Sequence, residues 1–92
     1  MIQSFLHRGL ELFFSKGSYK AIPAQHSARL MRILDRLDAA FVAEDMDLPG
    51  YRFHQLRGKR KNTYAVLVSA NLRLTFKFDR ENAVHVDLED YH

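Results

Sequence analysis

Leu72-Arg73-Leu74-Thr75-Phe76-Lys77-Phe78 alternates four large apolar side chains with three polar ones. A period of two is the signature of a strand with one buried face, so the apolar set meets a core and Arg73, Thr75 and Lys77 face away. Tyr64, Val66 and Val68 repeat the period before it, and Asp79-Arg80-Glu81-Asn82 after it reads as a turn. Ala83 to Glu89 then returns as a last strand, with Val84, Val86 and Leu88 expected inward and His85, Asp87, Glu89 and Tyr91 outward beside Arg73. Tyr51 to Leu56 reads as an earlier strand leading into a basic turn at Gly58 to Thr63, and Ile2 to Phe5 as a short first strand.

Upstream the period changes to that of a helix. Leu10, Phe13 and Phe14 share one face of a helix over His7 to Lys16, which Gly17 stops. Pro23 suits the first position of a second helix running to about Ala43, with Leu30, Ile33, Leu34, Leu37 and Phe41 as its buried stripe. The expected architecture is α+β: two N-terminal helices packed on one face of a mainly antiparallel β-sheet. Ninety-two residues make one domain, and 47% hydrophobic residues suffice for its core. Without cysteine, disulfides and thiolate metal sites are excluded. No stretch approaches the ~20 apolar residues of a membrane span, and Met1-Ile2-Gln3-Ser4-Phe5-Leu6 is unlike a signal peptide. A soluble cytoplasmic protein is therefore expected.

The charge is unevenly spread. Residues 79–92 carry a net −4 and residues 1–78 a net +7, for +3 overall. Arg52, Arg57, Lys59, Arg60 and Lys61 fall within ten residues that contain no acid, which points either to a polyanionic partner or to a solvated loop. Arg29, Arg32 and Arg36 line up on one side of the second helix, either as an ordinary exposed face or as a second polyanion contact.

The chain ends on Asp90-Tyr91-His92, three proton-handling side chains that continue a strand. Metal-free RNA cleavage needs a base for the 2′-hydroxyl, an acid for the leaving 5′-oxygen, and cations for the phosphorane-like transition state. His54 and His92 suit the proton transfers, Asp90 serves as base or orienter, and Arg73 and Arg57 are the cations. The α-carboxylate of His92 favours its imidazolium form, as a proton donor requires. Arg73 also has an ordinary alternative, an ion pair with Glu89 or Asp87. Two His and one Asp would also make up a metal site, but the neighbouring arginines disfavour a cation, so neither metal nor cofactor is expected.

These features occur in an order that resembles the HigB-type toxins of the RelE superfamily over essentially the whole chain. The resemblance rests on Met1-Ile2-Gln3-Ser4-Phe5, Gly9-Leu10, Lys16-Gly17 and Ile22-Pro23-Ala24-Gln25. It continues through Phe53-His54-Gln55-Leu56-Arg57-Gly58 and Ala70-Asn71-Leu72-Arg73-Leu74-Thr75-Phe76 to Asp90-Tyr91-His92. It implies a RelE-like domain and a ribosome-dependent endoribonuclease that cuts mRNA in the ribosomal A site and arrests translation. It also implies neutralisation by a HigA-type helix-turn-helix antitoxin, through which alone operator DNA is bound. His54, Arg73, Asp90, Tyr91 and His92 match the family's active-site residues; Arg57 stands where relatives commonly have Lys, and Leu72 and Ala65 where they often carry aromatics. Arg57, Lys59, Arg60 and Lys61, with Arg29, Arg32 and Arg36, are then expected to contact RNA. The competing readings are a non-catalytic RNA- or ribosome-binding module, a metal-dependent nuclease, and a degenerate toxin that acts only as a co-repressor with its antitoxin.

Overall fold

The computed structural model describes residues 1–91; His92 lies outside them. Within them two helices, α1 (Arg8–Lys16) and α2 (Ser27–Ala39), precede four strands, β1 (His54–Gln55), β2 (Tyr64–Ser69), β3 (Leu72–Asp79) and β4 (Asn82–Asp90). The strands form one antiparallel sheet in the order β1-β2-β3-β4. The expected α+β meander is thus present. No helix among the described residues is long and apolar enough to cross a membrane.

Each helix has a local reason to start or stop where it does. His7 caps α1 by accepting the Leu10 N–H at Nδ1, 2.9 Å away. Gly17 ends it in the left-handed conformation (φ 70°), and its N–H donates to the Phe13 carbonyl. Pro23 does not open α2 directly: a single 3-10 turn, Ala24–His26, intervenes. α2 stops at Ala39, four residues before the expected end, because Ala40 is extended (φ −75°, ψ 145°). Asp45 Oδ2 then accepts the Phe41 and Val42 N–H groups, which fixes a 3-10 turn over Ala43–Met46. Phe41 therefore leaves the helix stripe and is 65% exposed rather than buried.

The core forms between the helices and one face of the sheet. Leu10, Phe13, Leu30, Ile33, Leu34 and Leu37 from the helices meet Val66, Leu74, Phe76 and Val86, all essentially inaccessible. Ile2 and Phe5 make isolated parallel bridges to Ala83 and Val86, so the N-terminal segment edges β4 without becoming a continuous strand. The expected strand over Tyr51 to Leu56 shrinks to two residues, since Arg52 is left-handed (φ 48°) and breaks the extended run.

β4 departs from simple alternation. Thr75 pairs with Asp87, yet Lys77 pairs with Val84, so β4 carries an extra residue opposite Phe76. The bulge centres on His85, at φ 53°. The Ser4 hydroxyl accepts the His85 N–H at 2.8 Å, and the Ser4 carbonyl accepts the Val86 N–H. The phase of the strand changes there: Ala83 and Val86 are buried, and Val84, expected inward, lies across from Lys77 on the outward face.

Candidate active site

Beyond the bulge β4 is back in register, and the register builds the site. Arg73 lies directly across from Glu89, and Thr75 across from Asp87, all on the sheet face turned away from the helices. Arg73 donates from Nε and Nη2 to Glu89 Oε1, both at 3.1 Å. Its guanidinium also lies 4.8 Å from the centroid of the Tyr91 ring. The Tyr91 N–H donates to the Asn71 carbonyl at 2.8 Å, so sheet-type bonding holds the chain one residue beyond β4. As far as Tyr91, the chain is thus held beside Arg73. Asp90 pairs with Leu72, and alternation places it on the face opposite Glu89. Its carboxylate accepts from Asn71 Nδ2 at 3.3 Å.

His54 reaches the outward face from the edge strand. It pairs with Ala65, which pairs with Thr75, so His54 stands two strands from β3, ~10 Å away. Its Nδ1 lies 2.9 Å from the Arg52 carbonyl. A carbonyl only accepts, so Nδ1 carries the proton and Nε2 keeps its lone pair in the neutral ring. The ring is exposed. Of the residues with matched roles, His54, Arg73 and Tyr91 thus share the outward face, Asp90 is turned to the other face, and His92 lies outside the described residues.

The basic segment divides in a way its sequence did not show. Gly58–Arg60 is a 3-10 turn that curls over the outward face. From it the Arg60 guanidinium reaches β4 and clasps the same Glu89 carboxylate that binds Arg73, with Nη1 3.2 Å from Oε1 and Nη2 against Oε2. Beneath this turn Ala65 and Thr75 are buried although they face away from the helices. The Arg60 hydrogen bond, with the Arg73 one behind it, holds the Glu89 carboxyl below the usual carboxylate range against the opposing effect of desolvation. Arg60 is raised by the same bond. Arg57, Lys59 and Lys61 are exposed and form no ion pair among the described residues.

The α2 arginines do not act as a set. Arg29 turns inward: it donates to the carbonyls of Gly50, Leu67 and Val68 and lies over the Tyr51 ring, 5.3 Å from its centroid. It ties α2 to the loop before β1 and to the irregular end of β2, so its donors are engaged within the fold, unlike those of an exposed RNA-contacting ridge. Its helical spacing is that of a ridge, but its long side chain bends to orphan carbonyls that only the tertiary fold supplies. Arg32 and Arg36 remain exposed and, with Asp35, Ala39 and Tyr51, border an open hollow of about 440 Å³.

Glu89 is the residue at the centre of these contacts that the sequence disclosed only as a possible partner of Arg73. Its signal was its place directly opposite Arg73 in the expected hairpin, one acid beside two arginines. Among the described residues no three His, Asp or Glu side chains gather as they would around a metal ion.

With this geometry in hand, the class of protein follows from comparison with known ones. Residues 3–92 match the family described as RelE-like toxin of type II toxin-antitoxin system HigB, and the chain belongs to that family. Among its relatives is the Proteus vulgaris protein named Endoribonuclease HigB, 38% identical over 92 residues and covering all of both chains. Toxin HigB-1 of Vibrio cholerae is 32% identical over 80 residues, 85% of this chain and 84% of its own. Two solved Helicobacter pylori structures share the fold at 15% and 14% identity: a copper-bound mutant toxin (TM-score 0.55) and a conserved hypothetical protein in solution (TM-score 0.54). Each covers 98% of this chain and 94% of its own.

Proposed function

We propose that this chain is an endoribonuclease toxin that cleaves mRNA in the ribosomal A site without a metal, and that a HigA-type helix-turn-helix antitoxin neutralises it. Family membership and the relative named as an endoribonuclease support the reaction class. The observation that supports the site is Tyr91, held against Arg73 with its N–H on the Asn71 carbonyl. Small, basic and rimmed by Arg57, Lys59 and Lys61, the molecule suits a polyanionic surround such as the ribosome.

In this reading a base takes the proton of the 2′-hydroxyl, whose oxygen attacks the adjacent phosphorus. The P–O5′ bond breaks, leaving a 2′,3′-cyclic phosphate on one fragment and a 5′-hydroxyl on the other. His54 has Nε2 free to accept that proton; Asp90, which alternation turns to the other face, is the less well placed alternative base. His92 protonates the departing 5′-oxygen. Arg73 and Arg57 stabilise the charge on the phosphorane-like transition state, and Tyr91 stacks on a base or donates to the phosphate. Arg73 is already oriented by Glu89, so its fork is set before substrate arrives. For the test, the wild type and His92→Gln are induced in growing cells and 5′-hydroxyl mRNA ends are mapped. The wild type should produce new ends within coding regions and the variant none. Equal growth arrest by both without new ends would favour a non-catalytic ribosome-binding module.

A further inference from the structure

The β4 bulge has a consequence apart from Arg73 and the tail. A non-glycine residue in the left-handed region is a strained choice, and such strain gathers where a side chain must be aimed. Here it brings His85 to the wall of a concave pocket of about 210 Å³ on the outward face. Lys59 enters from the basic turn and Lys77 from β3, while Thr63 and Thr75, both nearly buried, line the pocket as well. Arg60 borders it too, sharing the single Glu89 carboxylate with Arg73. Neither Lys59 nor Lys77 has an ion pair among the described residues. Two acids lie beside the pocket: Asp87, across from Thr75, accepts the Leu88 N–H, and Glu89 Oε2 accepts from the Thr75 hydroxyl at 3.5 Å. That leaves Lys59, Lys77, Arg60 and Arg73 against two carboxylates. The pocket is therefore net positive, and it is smaller than the ~300 Å³ at which small-molecule sites usually begin.

A site of that size and charge fits a phosphate group rather than a cofactor. Lys77 lies four residues along β3 from Arg73, ~13 Å of strand, with the Arg60–Glu89 pair between them. A single-stranded backbone crossing this face covers that interval within a few nucleotides. We propose that the pocket walled by Lys59, Lys77 and His85 is a second phosphate subsite, which holds a backbone phosphate of the RNA away from the scissile bond. This rests on the RNA-cleaving function proposed above. The exposed Leu6 at the pocket edge offers an apolar contact for the ribose or base.

The test uses Lys77→Gln/His85→Asn, Asn being chosen because it tolerates the left-handed backbone. Amide NMR shifts of the full chain are followed during titration with inorganic phosphate, and separately with an RNA oligonucleotide made uncleavable by 2′-deoxy substitution. RNA should move the Thr75, Lys77 and His85 amides at concentrations where phosphate does not. The double variant should weaken that binding and lower its salt slope by about 0.7, the share of the one lysine removed. On programmed ribosomes it should raise KM roughly tenfold at unchanged kcat, as loss of uniform binding does. Unchanged affinity and slope would overturn the subsite. So would shifts with free phosphate alone, or a loss confined to antitoxin binding. If the wild type cleaves nothing, the functional reading fails, while the oligonucleotide titration still decides the subsite.

Discussion

Replacing Glu89 with Gln keeps the shape of the clamp and removes only its charge, which makes the expected cost calculable. Arg60 is 45% exposed at its side chain, so its pair with Glu89 is screened and contributes ~0.2–1 kcal/mol. Arg73 and Glu89 are 20% and 21% exposed, and two N–H groups converge on one oxygen. Hydrogen bonds to a charged group contribute ~1.5–3 kcal/mol, and this pair belongs near the lower end because it still touches water. Gln retains one acceptor and recovers ~0.5–1 kcal/mol of a neutral bond. The net loss is about 1 kcal/mol, or a fall in Tm of ~4–8 °C for a domain of this length. The effect has a definite sign with pH. The folded pKa of Glu89 is depressed by Arg60 and Arg73, so its stabilisation is complete above the ordinary carboxylate pKa. It is lost as pH falls through the folded value, below the usual range. Thermal melts of wild type and Glu89→Gln should therefore differ at neutral pH and converge in strong acid. A gap that persists unchanged there, or none at neutral pH, would refute the assignment of Glu89 as the charged centre of this clamp.

Other substitutions separate packing from chemistry. Arg29→Ala strands the carbonyls of Gly50, Leu67 and Val68 and should destabilise by ~2–3 kcal/mol in a denaturant titration, without altering the salt dependence of ribosome binding. Gly9→Ala should also destabilise, by ~1–3 kcal/mol, although Ala is the better helix former. The added Cβ would meet Ala21 Cβ at 2.2 Å, and circular dichroism melts would register the cost. Phe41→Ser should change stability by no more than ~0.5 kcal/mol by the same assay, because that ring is mostly in water.

The alternation of Leu72 to Phe78 disclosed the central hairpin because its period depends only on neighbouring residues. The helix stripe through Leu37 was legible for the same reason. What escaped was set by contacts between distant segments. The phase change in β4 is held by Ser4, eighty-one residues from His85, and no local pattern in Val84 to Leu88 announces it. Phe41 had the spacing of a core residue, but Asp45 captures the backbone there and ends the pattern first. Arg29 was indistinguishable from Arg32 and Arg36 until the carbonyls of Leu67 and Val68 came within its reach. The candidate site was legible as a set of residue types, with Arg73 and Tyr91 expected on one face. Its organising acid, Glu89, was visible only as one of two possible partners.

The last residues of the chain are central to the proposed site, and one deletion probes them directly. Wild type and a chain ending at Tyr91 are compared for cleavage of a message on programmed ribosomes, with thermal melts and antitoxin binding measured on the same preparations. The shortened chain should melt and bind antitoxin like the wild type yet fail to cut, since the proposed proton donor is gone while Arg73 and Tyr91 are both retained. Cleavage at the wild-type rate would contradict the proposed site.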